Sequence, residues 1–187
     1  MVVSPARLPS VVSSGTEHID QSSRTNVFCG KTEPTGLNQL VPMKLYCDIN
    51  LWNRPFDDQS QPRIALETQA FLSILHMAKA GEIEFINSSV LEFENSRNPF
   101  SIRRRWIENG LRTAVHTQQL SSAIVARATE LERIRLKPLD ALHLACAEEI
   151  AVDYFLTCDD RLGRHYDGPL QVLNPLEFIV KMEESEL

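Results

Sequence analysis

Short apolar runs separated by longer stretches of helical spacing recur from residue 43 onward, and their alternation predicts the architecture. Leu45, Tyr46, Cys47 and Ile49 read as a short buried strand, with Asp48 where that strand runs out and Asn50 just beyond. Residues 51–59 form a polar loop, punctuated by Pro55 and by Pro62 after it. Ile64, Phe71, Ile74, Leu75 and Ala78 then recur at helical spacing over 63–80, and Gly81 stands where a helix closes. Residues 83–88 predict a second strand, and Ser88 or Ser89, both good N-caps, opens the helix that follows. A helix over 101–114, a weak strand over 115–120 and a helix from a Ser121 cap to 135 come next. Pro138 takes the first position of a helix to 151. Buried strands over 154–157 and 170–173 precede a last short helix from Pro175 into an acidic tail. Strands alternating with helices imply right-handed crossovers and a three-layer α/β/α fold around a mainly parallel sheet. In such sheets ligands sit at strand ends where the strand order switches, which marks Asp48 as a candidate before any other residue.

Residues 1–42 differ from the rest. They are rich in Ser, Thr, Pro, Gly, Asn and Gln and keep no sustained period. Such a stretch buries too little apolar surface to offset its ordering entropy. The expectation is a disordered or non-native extension over 1–42 and one folded domain over 43–187. At 187 residues the chain suits one well-buried domain. A net charge of −6 gives no bulk attraction to nucleic acid, though a local basic patch can still bind phosphates. Cys29, Cys47, Cys146 and Cys158 form no close pair, which indicates neither a disulfide framework nor a zinc site. No apolar run approaches the roughly 18–20 residues of a spanning helix. These features together predict a cytoplasmic protein with no membrane partner.

Four carboxylates stand out by position. Asp48 follows the first strand, although it also suits a turn. In 88–94 two glutamates compete. With Ser89 at zero and about 100° per residue, Phe93, Val90 and Leu91 fall near 40°, 100° and 200°. Glu94 then falls near 140°, inside the apolar arc, and Glu92 near 300°, outside it. A carboxylate on a buried face is costly unless paired or bound to a cation, so Glu94 is the candidate and Glu92 a solvated residue. Asp140 lies in the first turn of the Pro138 helix, where acids also stabilise the helix dipole. Asp159 and Asp160 follow the strand over 154–157, and one of them can cap the next helix while the other faces a site. A shared cluster of Asp48, Glu94, Asp140 and Asp159 could not remain fully ionised without a cation. Hard, oxygen-ligated Mg²⁺ or Mn²⁺ suits it best.

Four blocks of sequence resemble the PIN domains, in particular the short prokaryotic ones that include VapC-type toxins. They are Leu45 to Asn50, Ser88 to Glu94, Pro138 to Ala145 and Leu156 to Leu162. The resemblance covers 43–180 and implies a sheet of about five parallel strands, a PIN-like fold, and a metal-dependent ribonuclease site. It assigns Asp48, Glu94, Asp140 and Asp159 as catalytic metal ligands, with Thr157 and Asn50 in support. Thr157 and Asp159 fit the family's Thr-x-Asp spacing, which leaves Asp160 as a spare supporting acid. The expected activity is hydrolysis of RNA phosphodiester bonds with Mg²⁺ or Mn²⁺. The expected partners are an RNA substrate, a small antitoxin and a second copy of the chain. Ser88 and Asn50 would orient the ligands, and Arg97, Arg103, Arg104, Arg105 and Arg161 would grip phosphates. The 103–105 run suits a solvated helix face equally well, since three successive residues cannot all face one ligand. His143 reads as a packed histidine on an apolar face. The long extension over 1–42 departs from the family pattern.

Two rival readings use the same residues. A haloacid-dehalogenase-like phosphatase would take Asp48 as nucleophile, Ser88 for phosphate, Lys137 as the charge clamp and Asp159 with Asp160 for Mg²⁺. Asn50 stands where that chemistry needs a second acid for proton transfer. A catalytically silent PIN-like module that binds RNA or protein is the other.

Overall fold

Continuous burial along the first strand shows why the sheet forms as it does. Strands covered by helices on both faces read as unbroken apolar runs, and Leu45, Tyr46 and Cys47 are all fully buried. The computed structural model describes residues 41–185, so the extension expected over 1–42, and Cys29 within it, falls almost entirely outside the described residues. Five strands pair in parallel: β1 (Met43–Cys47), β2 (Ile83–Ser88), β3 (His116–Gln118), β4 (Tyr154–Leu156) and β5 (Gln171–Leu173). Their order is β3-β2-β1-β4-β5. The chain winds outward from β1 in both directions, so the order reverses between β1 and β4. In parallel sheets ligands sit beyond the strand ends at such a reversal. Tyr46 on β1 pairs in register with Ile86 and Phe155, and its ring stacks on Phe155 with centroids 5.2 Å apart.

The helices are α1 (Ile49–Asn53), α2 (Pro62–Ala80), α3 (Ser89–Ser96), α4 (Ser101–Leu111), α5 (Ser122–Glu132), α6 (Pro138–Ile150), α7 (Asp160–His165) and α8 (Pro175–Ser185). Their ends follow the expected chemistry. Ser88 and Ser121 cap α3 and α5 by accepting from the Leu91 and Ile124 amides. Gly81 closes α2 at φ 84°, a left-handed conformation that only glycine adopts without steric cost. Among the described residues no helix is long and apolar enough to cross a membrane.

Two segments differ from expectation. The weak strand over 115–120 shrinks to three residues, because β3 is a polar edge strand flanked by the exposed side chains of Val115 and Leu120. The stretch read as a polar loop from Leu51 to Gln59 instead begins with α1 and a 3₁₀ turn, Arg54–Phe56. A helix of five residues is too short to show a period, and its stability comes from tertiary packing. Leu51 and Trp52 are buried, and the Trp52 ring lies 5.2–5.7 Å from the rings of Phe71, Phe85 and Trp106. These contacts lock the segment directly after Asp48 to α2, β2 and α4.

Gly110 on α4 lies against this indole, and an added Cβ there would sit 2.7 Å from Trp52 Cη2. Alanine is intrinsically about 1 kcal/mol better than glycine within a helix. Gly110→Ala should nonetheless destabilise the protein by about 1–3 kcal/mol, because a ring packed on three sides cannot retreat. Urea unfolding of the variant beside the wild type measures this.

A candidate metal centre at the end of the central strand

Asp48 continues the sheet one residue past β1, its amide donating to Leu156 O at 2.9 Å. That bond holds it between β1 and β4, where it is 6% exposed. One carboxylate oxygen, Oδ2, accepts from Asn50 Nδ2 at 2.6 Å and from Thr157 Oγ1 at 2.9 Å. Asn50 Oδ1 in turn accepts the Cys158 amide, and Thr157 Oγ1 accepts the Asp159 amide. Asn50 and Thr157 therefore tie Asp48 to the chain leaving β4, and both lie where the sequence expected supporting residues. Burial pushes the Asp48 carboxyl above its ordinary range. The nearby His143 opposes this, Glu94 adds to it, the Thr157 hydrogen bond opposes it and Asp140 adds again.

Glu94 comes in from α3, half-buried, and its Oε2 lies 2.9 Å from His143 Nε2. His143, on α6, is 2% exposed and its Nδ1 is 2.7 Å from Tyr46 Oη. Tyr46 Oη is 2.6 Å from Ser88 Oγ. Asp48, Glu94 and His143 each offer a ligand atom, and the three atoms lie within 4.8 Å of one another. His143 is packed, as expected, but it is also bonded to Glu94 within this cluster, which its apolar neighbours in sequence concealed. The apolar face of α3 differs from the predicted one at one position. Phe93 is exposed, and the buried positions of α3 are Val90, Leu91 and Asn95, with Glu94 at their margin. Glu92 is exposed and accepts from Asn87 Nδ2 at 2.7 Å.

Asp140 and Asp159 face a pocket of about 140 Å³ that Lys137, Arg161 and His165 also line. Burial raises the Asp140 carboxyl; Lys137 opposes the rise, Asp159 adds to it, His143 opposes it and Glu94 adds to it. Those influences place Asp140 electrostatically within the same group of acids as Asp48 and Glu94. Asp159 is the residue that caps α7: its Oδ1 accepts the Arg161 amide at 2.9 Å. The Arg161 guanidinium reaches both its oxygens, at 3.3 and 3.1 Å, and holds its carboxyl below the usual range. Asp160 is turned to Arg63 in a two-bond ion pair and lines a neighbouring cleft of about 790 Å³.

The arginines divide. Arg161 is bonded to a site acid. Arg103 donates to Phe56 O at 2.7 Å and lies over the Phe100 ring, and Arg104 donates to Asn98 O at 3.1 Å. These two hold backbone turns rather than a free basic surface. Arg97 lies over the Phe93 ring and Arg105 is exposed.

A five-stranded parallel sheet with carboxylates near its switch point defines a parallel α/β protein whose candidate site lies beyond the ends of β1 and β4. The PIN domain family model matches residues 45–168, and the chain belongs to that family. No curated protein matches it. Among solved structures it is similar to a chain from the crystal structure of VapBC2 from Rickettsia felis bound to a DNA fragment from their promoter. That match has a TM-score of 0.48 and 15% identity, covering 71% of this chain and 98% of that one.

A raised native pKa means that the folded state binds the Asp48 proton more tightly than the unfolded chain does. Stability without metal then falls as pH rises from the ordinary value of 3.8 through the native one, and the penalty persists at neutral pH. Asp48→Asn should therefore raise the metal-free Tm at pH 7 by roughly 2–4 °C, equivalent to ~1 kcal/mol in a domain of this size. The advantage should vanish as pH approaches 3.8, where wild-type Asp48 is itself protonated. Thermal melts across pH in EDTA check both parts.

Proposed function

We propose that this protein is a ribonuclease that hydrolyses RNA phosphodiester bonds with Mg²⁺ or Mn²⁺, and that it acts as the toxin of a toxin–antitoxin pair. The observation that carries the nuclease reading is the approach of Asp48 and Glu94, from separate elements, with ligand atoms within 4.8 Å of each other and of His143, and with no arginine or lysine in an ion pair with Asp48 among the described residues. Oxygen donors of this kind fit a hard divalent cation. Asp48 and Glu94 would hold it, with Asp140 and Asp159 completing the set. When bound, the cation supplies positive charge that stabilises the developing oxyanion at phosphorus and acidifies water. Asn50 and Thr157 keep Asp48 in one orientation through the bonds on Oδ2. Lys137 and Arg161 border the acids and present positive charge to an incoming phosphate. The toxin assignment extends the resemblance to VapC-type proteins and brings with it a small protein inhibitor and a homodimer as partners.

Two features favour this reading over the phosphatase. The side chain two residues after Asp48 is an amide that donates to Asp48, so it offers no acid for proton transfer. Glu94, which the phosphatase leaves idle, is bonded into the cluster.

Incubation of the full chain with a mixed RNA pool in Mg²⁺, Mn²⁺ or EDTA is the test. Cutting should require metal, and the Asp48→Asn/Asp140→Asn double mutant should lose more than the ~100-fold that removal of a merely orienting group costs. Cutting that survives EDTA overturns the metal-dependent reading. Tight RNA binding without cleavage in either metal supports the silent module instead.

A further inference from the structure

The buried chain Ser88–Tyr46–His143–Glu94 has a direction that proton counting decides. A carboxylate only accepts, so the nitrogen facing Glu94 Oε2 across 2.9 Å, His143 Nε2, carries the proton. Neutral imidazole then leaves Nδ1 as an acceptor, and the group 2.7 Å away is the Tyr46 hydroxyl. Tyr46 has one proton and uses it on Nδ1, so its oxygen accepts from Ser88 at 2.6 Å. Ser88 Oγ in turn accepts the Leu91 amide at 3.1 Å. With the imidazole neutral, every donor and acceptor along this path has one role. The reverse direction would leave Nε2 without a proton against a carboxylate. Burial pushes the Tyr46 phenol well above its ordinary range, so it keeps its proton.

We propose that His143 is a positioning residue: it fixes Glu94 by donating to Oε2, and it does not itself ligate the metal. The proposal rests on the metal reading above. His143 Nε2 lies close enough to Asp48 and Glu94 to be a ligand by distance alone. The geometry favours positioning over ligation, because both ring nitrogens already have partners within the protein: Nε2 meets Glu94 Oε2 at 2.9 Å and Nδ1 meets the Tyr46 hydroxyl at 2.7 Å. Oε1 of Glu94 is thereby left for the ion, and the anchor of the chain is the N-cap of the helix that carries Glu94. Position and orientation of the carboxylate are thus set from one point, through a path buried from Ser88 to His143, where low polarity strengthens each bond.

Mn²⁺ binding by the full chain tests this without reference to cleavage. The variants are His143→Leu, His143→Gln and Tyr46→Phe, with affinity read by calorimetry and nitrogen coordination by pulsed electron paramagnetic resonance. Wild type should bind Mn²⁺ with no directly coordinated imidazole nitrogen. His143→Leu should weaken binding about 10–100-fold, and His143→Gln, which keeps an N–H donor, should recover most of it. Tyr46→Phe keeps the ring on Phe155 and should fall between wild type and His143→Leu, which preserves the test if the leucine variant does not fold. A coordinated nitrogen in wild type, unchanged affinity in both His143→Leu and Tyr46→Phe, or a glutamine variant as weak as the leucine one overturns the proposal. A wild-type chain that takes up no Mn²⁺ overturns the metal reading itself, before any variant is compared.

Discussion

The site depends on one constraint: the Asp48 carboxylate is held out of water at the end of the central strand. Its backbone is fixed by the bond to Leu156 and its side chain by Asn50 and Thr157, so it cannot turn toward solvent to relieve the burial. An ion in that position must be compensated by partners, by protonation or by a bound cation. What surrounds it increases the charge: Glu94 and Asp140 both push its affinity for the proton upward.

Glu67 shows how the same fold treats a buried acid with no such task. It is 1% exposed, and it is met by Arg54 at 2.9 Å, Arg63 at 2.8 Å and the Asn174 amide at 2.7 Å. That arrangement stabilises structure by pairing charge, and breaking such a buried pair leaves an uncompensated ion. Asp48 is given hydrogen bonds for orientation and more acids for company. The contrast between these two residues separates an acid neutralised by two arginines from one whose charged neighbours are His143, Glu94 and Asp140. Asp159 is intermediate, with Arg161 as its counter-charge.

Rigidity behind the site comes from aromatic packing. Trp52, on the turn of helix directly after Asp48, is wedged among Phe71, Phe85 and Trp106, and Tyr46, in the strand before it, stacks on Phe155. Both flanks of the key carboxylate are thus built into the core. Tyr46 also carries a hydroxyl, so one residue serves core packing with its ring and the polar chain toward Glu94 with its oxygen.

Composition and period alone determined the parts of this protein that depend on neighbours in the chain. The strand around Tyr46, the caps at Ser88 and Ser121, the glycine stop after α2 and the alternation that makes the sheet parallel are local signals, and local chemistry decides them. The four candidate acids also stood out in the sequence, Asp48 and Asp159 just past strand ends, Asp140 in a first helical turn and Glu94 by the face of its helix. Long-range contacts decided the rest. Leu51 and Trp52 looked like loop residues until Phe71, Phe85 and Trp106 supplied a core for five residues of helix. Phe93 shared a predicted face with buried positions but stays exposed, with the Arg97 guanidinium over its ring in place of an apolar neighbour. Nothing near His143 in the chain announces that Tyr46 and Glu94 stand on either side of its ring, since those partners come from β1 and α3. The different ion-pair partners of Asp159 and Asp160 were likewise decided by where Arg161 and Arg63 sit in space. Helical period and capping act over a few residues, whereas charge pairing and burial act between elements that only folding brings together.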